Sequence, residues 1–116
     1  MKLINLANGS VLADRVAVAD SFAKRLKGLI GRRAINRGEA LILYPCKSVH
    51  TCFLNFPIDV LFIDREALVL HILESMRPYR LSPVISLSYM VVELPAGCVA
   101  ATGTEAGHRL KLTIKC

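Results

Sequence analysis

Apolar and polar residues alternate weakly over residues 2–7, which predicts a first β-strand. The Asn8-Gly9 pair that follows is a strong hairpin signal, because both residues tolerate the positive φ of a type I′ turn. Residues 11–19 then predict the returning strand. The chain is therefore expected to begin with a β-hairpin.

The hydrophobic spacing changes after this hairpin. Four apolar residues follow at positions i, i+4, i+7 and i+8, which places them on one face of an α-helix. Asp20 or Ser21 offers an N-cap oxygen, and Gly31 offers the left-handed residue that ends a helix. Because the helix is short, only packing of its apolar face on the rest of the domain would stabilise it. The four apolar residues are Phe22, Leu26, Leu29 and Ile30.

From residue 40 onward, short apolar runs separated by turn residues predict a mainly β structure. Pro45 and Pro57 end two of these runs, since proline lacks the N–H that a strand ladder needs. A helical turn closed by Gly103 is expected at residues 98–102, and an exposed loop at residues 76–83. The predicted strands are residues 40–44, 48–56, 58–63, 67–73, 88–94 and 109–114.

Together these elements predict a fold that is mainly β (β-rich α+β). Seven to eight short strands with one or two short helices are typical of a small sandwich or a partly closed barrel. A chain of 116 residues is expected to form a single domain over residues 1–116. With 53% hydrophobic residues, it belongs to the class of folded proteins rather than disordered ones.

Two segment types are missing from the pattern. No window approaches the roughly 18 apolar residues of a membrane-spanning helix, so no transmembrane segment is predicted. The N-terminal residues lack the apolar core and cleavage site of a secretory signal, so a cytoplasmic location is expected.

The positive charge is concentrated in one segment. Fifteen Lys and Arg residues against nine Asp and Glu leave a net charge of +6. Residues 21–38, called here the basic segment, hold six basic residues and no acid, so the rest of the chain is balanced. Such a segment can bind an acidic partner or surface, or can be a solvated face. Its basic residues are Lys24, Arg25, Lys27, Arg32, Arg33 and Arg37.

A carboxylate interrupts the apolar run at residues 58–63. Strand alternation places Asp59 on one face with Leu61 and Ile63. A carboxylate on an apolar face costs several kcal/mol unless it is paired or well hydrogen-bonded. The sequence therefore predicts that Asp59 has a partner.

Two interpretations of this carboxylate stay open. In the functional one, His50 and Asp59 line a polar pocket together with Thr51 and Glu93, and the aspartate fixes the histidine tautomer. In the structural one, Asp59 accepts backbone N–H bonds from the turn at Pro57 and His50 is a satisfied interior residue. Glu93 then lies on a solvated strand face.

Other chemistries find weaker support in the sequence. Cys46, His50 and Cys52 match no common zinc spacing, and neither a metal site nor a cofactor is predicted. A nucleophilic Cys–His pair lacks a visible third group to orient its base. Phosphate-binding glycine motifs and recognised nucleic-acid motifs are absent as well. Cys116, the last residue, is expected to be solvent-exposed.

Several short motifs occur in a fixed order along the chain. Val49-His50-Thr51 precedes Phe56-Pro57-Ile58-Asp59, and Glu93-Leu94-Pro95-Ala96-Gly97 follows later. Gly28-Leu29-Ile30-Gly31-Arg32 lies upstream, and Gly103 and Gly107-His108 lie downstream. This combination resembles the domain of unknown function 192 (DUF192) family over residues 25–112.

The resemblance implies a small β-rich barrel or sandwich with no assigned activity. Members of the family are often exported behind a signal or lipid anchor. Leu54-Asn55 departs from the Met and basic residue typical of the family, and His108 replaces its usual Asp. The resemblance strengthens the four pocket candidates as a set without supplying their chemistry.

Three functional hypotheses follow. The first is binding of a small polar ligand, with Thr51 as hydrogen-bonding group, His50 as ligand or proton contact and Asp59 as its orienting partner, and with Glu93 as a further member. The second is an interaction module whose basic segment docks on an acidic partner or surface. The third is an enzyme that uses His50 or a cysteine.

Overall fold

The computed structural model describes residues 1–114, which form eight strands and two short helices. The expected mainly β, sandwich-like fold is therefore confirmed. Residues 115 and 116 lie outside the described residues, and so does the prediction made for Cys116. The elements are β1 (Lys2–Asn5), β2 (Val11–Ala13), β3 (Arg15–Ala19), α1 (Phe22–Lys27), β4 (Glu39–Leu43), β5 (Ile58–Ile63), β6 (Val69–Met76), β7 (Met90–Pro95), α2 (Cys98–Thr102) and β8 (Leu110–Thr113).

The strands form two sheets. A three-stranded antiparallel sheet has the order β2-β1-β8, and a five-stranded sheet has the order β3-β4-β7-β5-β6. In the larger sheet only β3 and β4 run parallel, and the other neighbours are antiparallel. This order brings β7, which comes late in the chain, between β4 and β5.

Strand β5 is buried along its whole length because both faces of the five-stranded sheet are covered. On one face, called here the sandwich face, Leu61 and Ile63 pack with residues of the three-stranded sheet and of α2. On the other, called here the loop face, Val60 and Phe62 pack with Leu29 and with residues of the 46–56 segment. Successive residues of β5 and β7 point to these two faces in turn. A polar residue on either strand therefore lies on the sandwich face or the loop face according to its position.

The N-terminal hairpin is confirmed, with two differences. Its connection spans residues 6–10, with positive φ at Gly9 and not at Asn8, so the predicted type I′ turn is wrong. The predicted strand 11–19 is divided at Asp14, where the chain leaves the small sheet and enters the large one. A continuous apolar pattern cannot reveal this division, because both halves alternate in the same way.

Helix α1 begins where the sequence predicts and ends earlier. The hydroxyl of Ser21 accepts the Lys24 N–H at 3.2 Å, which confirms the N-cap. The helix ends at Gly28, whose N–H bonds to the Lys24 carbonyl, and not at Gly31. The expected packing of its apolar face is wrong, since Phe22 is 75% exposed. Leu29 is buried, but it lies after the helix.

The predicted strand at residues 48–56 is wrong. Only His50 makes an isolated bridge there, with Leu81. The backbone groups of residues 48–56 bond to side chains and to the 77–85 loop instead. The Val49 N–H, for example, donates to the Ser82 hydroxyl at 2.8 Å. Polar side chains that bond to nearby backbone compete with a strand ladder, and here they prevail.

The later elements follow the prediction more closely. Helix α2 and its left-handed cap at Gly103 are confirmed. The strands predicted at residues 40–44, 67–73, 88–94 and 109–114 are present as β4, β6, β7 and β8, with ends displaced by one to three residues.

Candidate functional site

Asp59 has the partners that the sequence demands, and they are backbone groups. The residue is fully buried on the sandwich face. Its Oδ1 accepts the Ser75 N–H at 2.8 Å, and its Oδ2 accepts the Val99 N–H at 2.9 Å. Two charge-assisted hydrogen bonds of this length stabilise a buried carboxylate well. One of the two interpretations gave Asp59 backbone N–H partners at the Pro57 turn. The partners are backbone N–H groups, but neither lies at that turn.

Both donors need an acceptor from outside their own element. Ser75 has a positive φ in a β-bulge, where two residues of β6 oppose Asp59 alone. Val99 lies in the first turn of α2, whose N–H groups have no acceptor within the helix. The Asp59 carboxylate therefore caps α2 and fixes the bulge at once.

Thr51 joins two loops. Its hydroxyl accepts the Arg80 N–H at 2.9 Å and donates to the Arg77 carbonyl. Its own backbone N–H donates to the Arg80 carbonyl, and its carbonyl accepts the Tyr79 N–H, both at 2.9 Å. Every polar group of the buried threonine thus serves the 77–80 turn. These bonds leave its hydroxyl occupied by protein.

His50 is half-buried and is oriented by its own loop. The Cys52 backbone N–H donates to Nδ1 at 3.2 Å, so the neutral imidazole carries its proton on Nε2. Among the described residues, no hydrogen bond joins His50 to Asp59, whose oxygens are taken by backbone N–H groups. The structure thus gives the histidine a different orienting partner from the one expected.

Glu93 is a buried acid with surroundings unlike those of Asp59. It lies on β7 opposite Leu41 and Val60, hence on the loop face, and is 3% exposed. Its Oε1 is buried and receives no hydrogen bond from the described residues. Burial raises the pKa of Glu93 from 4.5 to about 7. The sequence-based alternative of a solvated strand face therefore does not describe this residue.

A pocket opens above Glu93, between the loop face, α1 and the 46–54 segment. We call it the α1 pocket; its volume is about 210 Å³. Apolar cavities of about 150 Å³ already hold benzene, so the α1 pocket fits a small molecule. Its polar and charged lining residues are Arg25, Lys27, Cys46, Ser48, His50 and Glu93.

The backbone after α1 comes close to the carboxylate. Gly28 has φ of +48°, and a Cβ placed there would lie 3.7 Å from Glu93 Oε1. A side chain at this position would therefore contact the acid. Sequence reasoning missed Gly28 and Arg25 as pocket residues, although Gly28 is part of a family motif, because only the fold brings them to Glu93.

Of the four residues expected to form one site, the pocket includes two. His50 and Glu93 line it, whereas Asp59 points into the sandwich face and Thr51 into the 77–80 turn. Asp59 lies opposite Leu94, and Glu93 lies opposite Val60. Because Leu94 directly follows Glu93 on β7, its side chain points to the other face of the sheet, so the five-stranded sheet separates Asp59 from Glu93.

The thiol next to Glu93 is not activated. Cys46 Sγ donates to the Ser48 carbonyl at 3.1 Å. Burial raises the pKa of the Cys46 thiol, and the negative charge of Glu93 acts in the same direction. A thiol in this state is a poor nucleophile at neutral pH. Within residues 1–114, no group of three or more His, Cys, Asp or Glu side chains is arranged to hold a metal ion.

The basic segment is less uniform in space than in sequence. Lys24 lies 3.7 Å from Asp20, and Arg32 makes a 2.9 Å ion pair with Glu39. Arg25 Nη1 donates to the Tyr44 carbonyl at 3.2 Å. Half of the six charges are thus engaged within the protein. Neither helix of the described residues has the length and apolar character needed to cross a bilayer.

The model of the DUF192 family, described as Uncharacterized ACR, matches residues 3–112. The chain belongs to the DUF192 family. It is 32% identical to a UPF0127 protein of Thermococcus sibiricus over 113 residues, which cover 93% of this chain and 72% of that protein. A UPF0127 protein of Pyrococcus furiosus is 30% identical over 114 residues, covering 94% and 96% of the two chains.

A solved structure has the same fold as this DUF192 chain. It is a protein of unknown function from Novosphingobium aromaticivorans, with a TM-score of 0.83 and 21% identity. The match covers 96% of this chain and 82% of that one. The similarity supports the β-sandwich architecture and carries no function across.

Proposed function

We propose that this DUF192 protein binds a small polar ligand in the α1 pocket, with Glu93 as the buried recognition group. The observation that carries the proposal is the buried Glu93 Oε1, which has no hydrogen-bond partner among residues 1–114. A buried polar atom without a partner costs about 1–3 kcal/mol, and a ligand that donates a hydrogen bond to it recovers that energy.

His50 supplies the second polar contact of the proposed site. Because Nδ1 is held by the Cys52 N–H, the neutral ring offers its Nε2–H as a donor. A ligand that bonds to Glu93 and also presents an acceptor to His50 is fixed at two points. In this proposal Thr51 supports the 77–80 turn, Asp59 supports α2 and the β6 bulge on the other face of the sheet, and neither contacts the ligand.

The proposal is tested by ¹H–¹⁵N NMR titration with a panel of small polar fragments: imidazole, acetamide, benzyl alcohol and benzylamine. We expect saturable shifts of the amides of Gly28, Leu29 and His50 for at least one fragment at about 10 mM, a range suited to the weak binding of such small molecules. The shifts should disappear in Glu93→Leu, which removes the acceptor and fills the site with an apolar side chain.

The matched control is Glu74→Leu, since Glu74 is an exposed glutamate on β6. Binding should survive in this variant. If no fragment moves the pocket amides, or if Glu93→Leu binds as well as the unaltered protein, the proposed function is wrong.

The second candidate, docking through the basic segment, is favoured by the exposed apolar side chains of α1. Phe22 and Leu26 are 75% and 55% exposed, next to Lys27, which makes no ion pair with the other described residues. Apolar side chains beside positive charges are typical of surfaces that bind acidic partners. The ion pairs of Lys24 and Arg32 reduce the free charge, and for this reason we place ligand binding first.

A further inference from the structure

Among the described residues, the basic side chains of the α1 pocket do not pair with Glu93. Arg25 and Lys27 line the same pocket, yet no ion pair of the described residues includes Glu93. The Arg25 guanidinium is turned to the Tyr44 carbonyl instead. The chain thus supplies an acid at the inner end of the pocket and keeps its own cations away from it.

The surroundings of the acid favour a charged partner over a neutral one. Leu29, Leu43 and Leu54 are buried apolar residues that line the pocket. In apolar surroundings an isolated carboxylate is disfavoured, and a nearby cation is the group that stabilises its ionised form. A hydrogen bond between two charged groups is also roughly twice as strong as one between neutral groups.

Size and charge at the mouth limit the rest of the ligand. The volume of about 210 Å³ is below the 300–1,000 Å³ of most drug-sized sites, so the body is short, with about ten non-hydrogen atoms. Lys27 is exposed and Arg25 is half-buried, so both lie further out than the buried Glu93 and would repel a second positive charge at the outer end. They tolerate a neutral group there and attract an anionic one.

We infer that the ligand of the α1 pocket is a small primary amine, with an ammonium group that pairs with Glu93 and a short apolar body that lies against the leucine walls. This inference rests on the proposed function and specifies the ligand class of the same site. Diamines are excluded by the charges at the mouth, and amino acids with an apolar side chain are included.

Benzylamine and benzyl alcohol test the inference, because they have the same size and differ in the charge of one group. At about pH 8, we expect benzylamine to bind at least about tenfold more tightly than benzyl alcohol, measured by the NMR titration described above. Tenfold corresponds to about 1.4 kcal/mol, which is at the low end for a hydrogen bond to a charged group. Glu93→Gln should abolish this preference, and Glu74→Gln should keep it.

The pH dependence gives a second readout. As pH falls from about 8 to about 6, Glu93 takes up a proton while the amine stays charged, so benzylamine should bind more weakly. The other charged or titratable groups facing Glu93 are Arg25 and Lys27 from the α1 side, and Cys46 and His50 from the 46–54 segment. Glu93→Gln should lose this pH dependence, and Glu74→Gln should retain it.

The outcomes separate the two proposals. Equal binding of benzyl alcohol and benzylamine, or an unchanged preference in Glu93→Gln, would overturn the amine assignment and leave pocket binding intact. Binding of imidazole or acetamide without benzylamine would do the same. If none of the four fragments binds in the pocket, the proposed function itself fails.

Discussion

Two buried carboxylates on neighbouring strands have different surroundings. Asp59 accepts two backbone N–H bonds and is thereby a structural group. Glu93 is also buried, but its Oε1 receives no hydrogen bond from residues 1–114. Burial without hydrogen bonds penalises the charged form, whereas burial with two of them sustains it. The number of donors, and not the burial, therefore distinguishes a scaffold acid from a candidate recognition group.

Glu93 makes the stability of the protein depend on pH in a definite direction. Its pKa is about 7 in the folded protein, against an ordinary value of 4.5 in the unfolded chain, so the folded state holds the proton more tightly. Its contribution to stability is complete below pH 4.5, is lost as pH rises to about 7, and changes no further above that. The shift corresponds to about 3 kcal/mol, at 1.36 kcal/mol per pKa unit.

Glu93→Gln removes this titration. We measure the free energy of unfolding of both proteins by urea denaturation. The difference, variant minus unaltered protein, should increase by about 3 kcal/mol as pH rises from about 4.5 to about 8. Other acids titrate in both proteins and cancel in the difference. A difference that stays constant across this pH range would contradict the burial-raised pKa.

At the scale of elements, the basic segment illustrates how a sequence pattern is redistributed by folding. Its apolar positions are divided between an exposed helix and the buried Leu29 beyond it. Its charges are divided between ion pairs, the pocket lining and solvent. The segment is therefore both a wall of the α1 pocket and an exposed surface. The wall bears on ligand binding, and the exposed surface bears on docking to an acidic partner.

The docking alternative predicts salt-sensitive binding to an acidic surface. Vesicles of phosphatidylcholine with phosphatidylglycerol should retain the protein in a flotation assay at about 0.05 M salt and release it at about 0.5 M, because salt screens exposed charges. Reversal of Lys24, Arg25 and Lys27 to glutamate should abolish the retention.

A charge-matched control reverses Arg77, Arg80 and Lys111, which lie outside the basic segment and are exposed. This control should still bind the vesicles. Equal loss in both triple variants would indicate an effect of net charge alone, and binding that is indifferent to salt would remove the docking alternative.

For the whole molecule, the central five-stranded sheet separates a structural side from a candidate functional side. The sandwich face is closed by the three-stranded sheet and α2, and Asp59 connects β5 to both α2 and the β6 bulge. The loop face is covered by Leu29 and Ile30, which follow α1, and by the 46–56 segment, and a pocket is left over Glu93. Changes on the two faces should therefore be separable by experiment.

Asp59→Asn tests this separation. An amide offers one acceptor where the carboxylate offers two, and its NH₂ faces an N–H donor. We expect a loss of about 2–4 kcal/mol in free energy of unfolding, since each hydrogen bond to a charged group contributes about 1.5–3 kcal/mol. The midpoint of urea unfolding should fall while the slope is unchanged.

The matched variant is Asp14→Asn, at an exposed aspartate, which should change stability by less than about 0.5 kcal/mol. Fragment binding in the α1 pocket should persist in folded Asp59→Asn. Loss of binding at full stability would instead return Asp59 to the site together with His50.

Much of the fold could be read from the sequence, because its signals are local. Alternation and turn residues predicted the hairpin, β5 and α2 with its cap at Gly103. Where distant partners take over the backbone, local signals fail. Residues 48–56 look like a strand, but their polar groups bond to the 77–85 loop, so the predicted strand does not form.

The sequence by itself determined the β-rich class, the family and the requirement that Asp59 be satisfied, since apolar spacing and the cost of a buried charge depend only on nearby residues. The tertiary structure alone decided which groups bond to Asp59 and which residues share a pocket. Strand β7 inserts between β4 and β5, and this order sets Glu93 against Gly28 on one face while Asp59 lies on the other. Contacts between segments so far apart in the chain follow from sheet order, which no local pattern encodes.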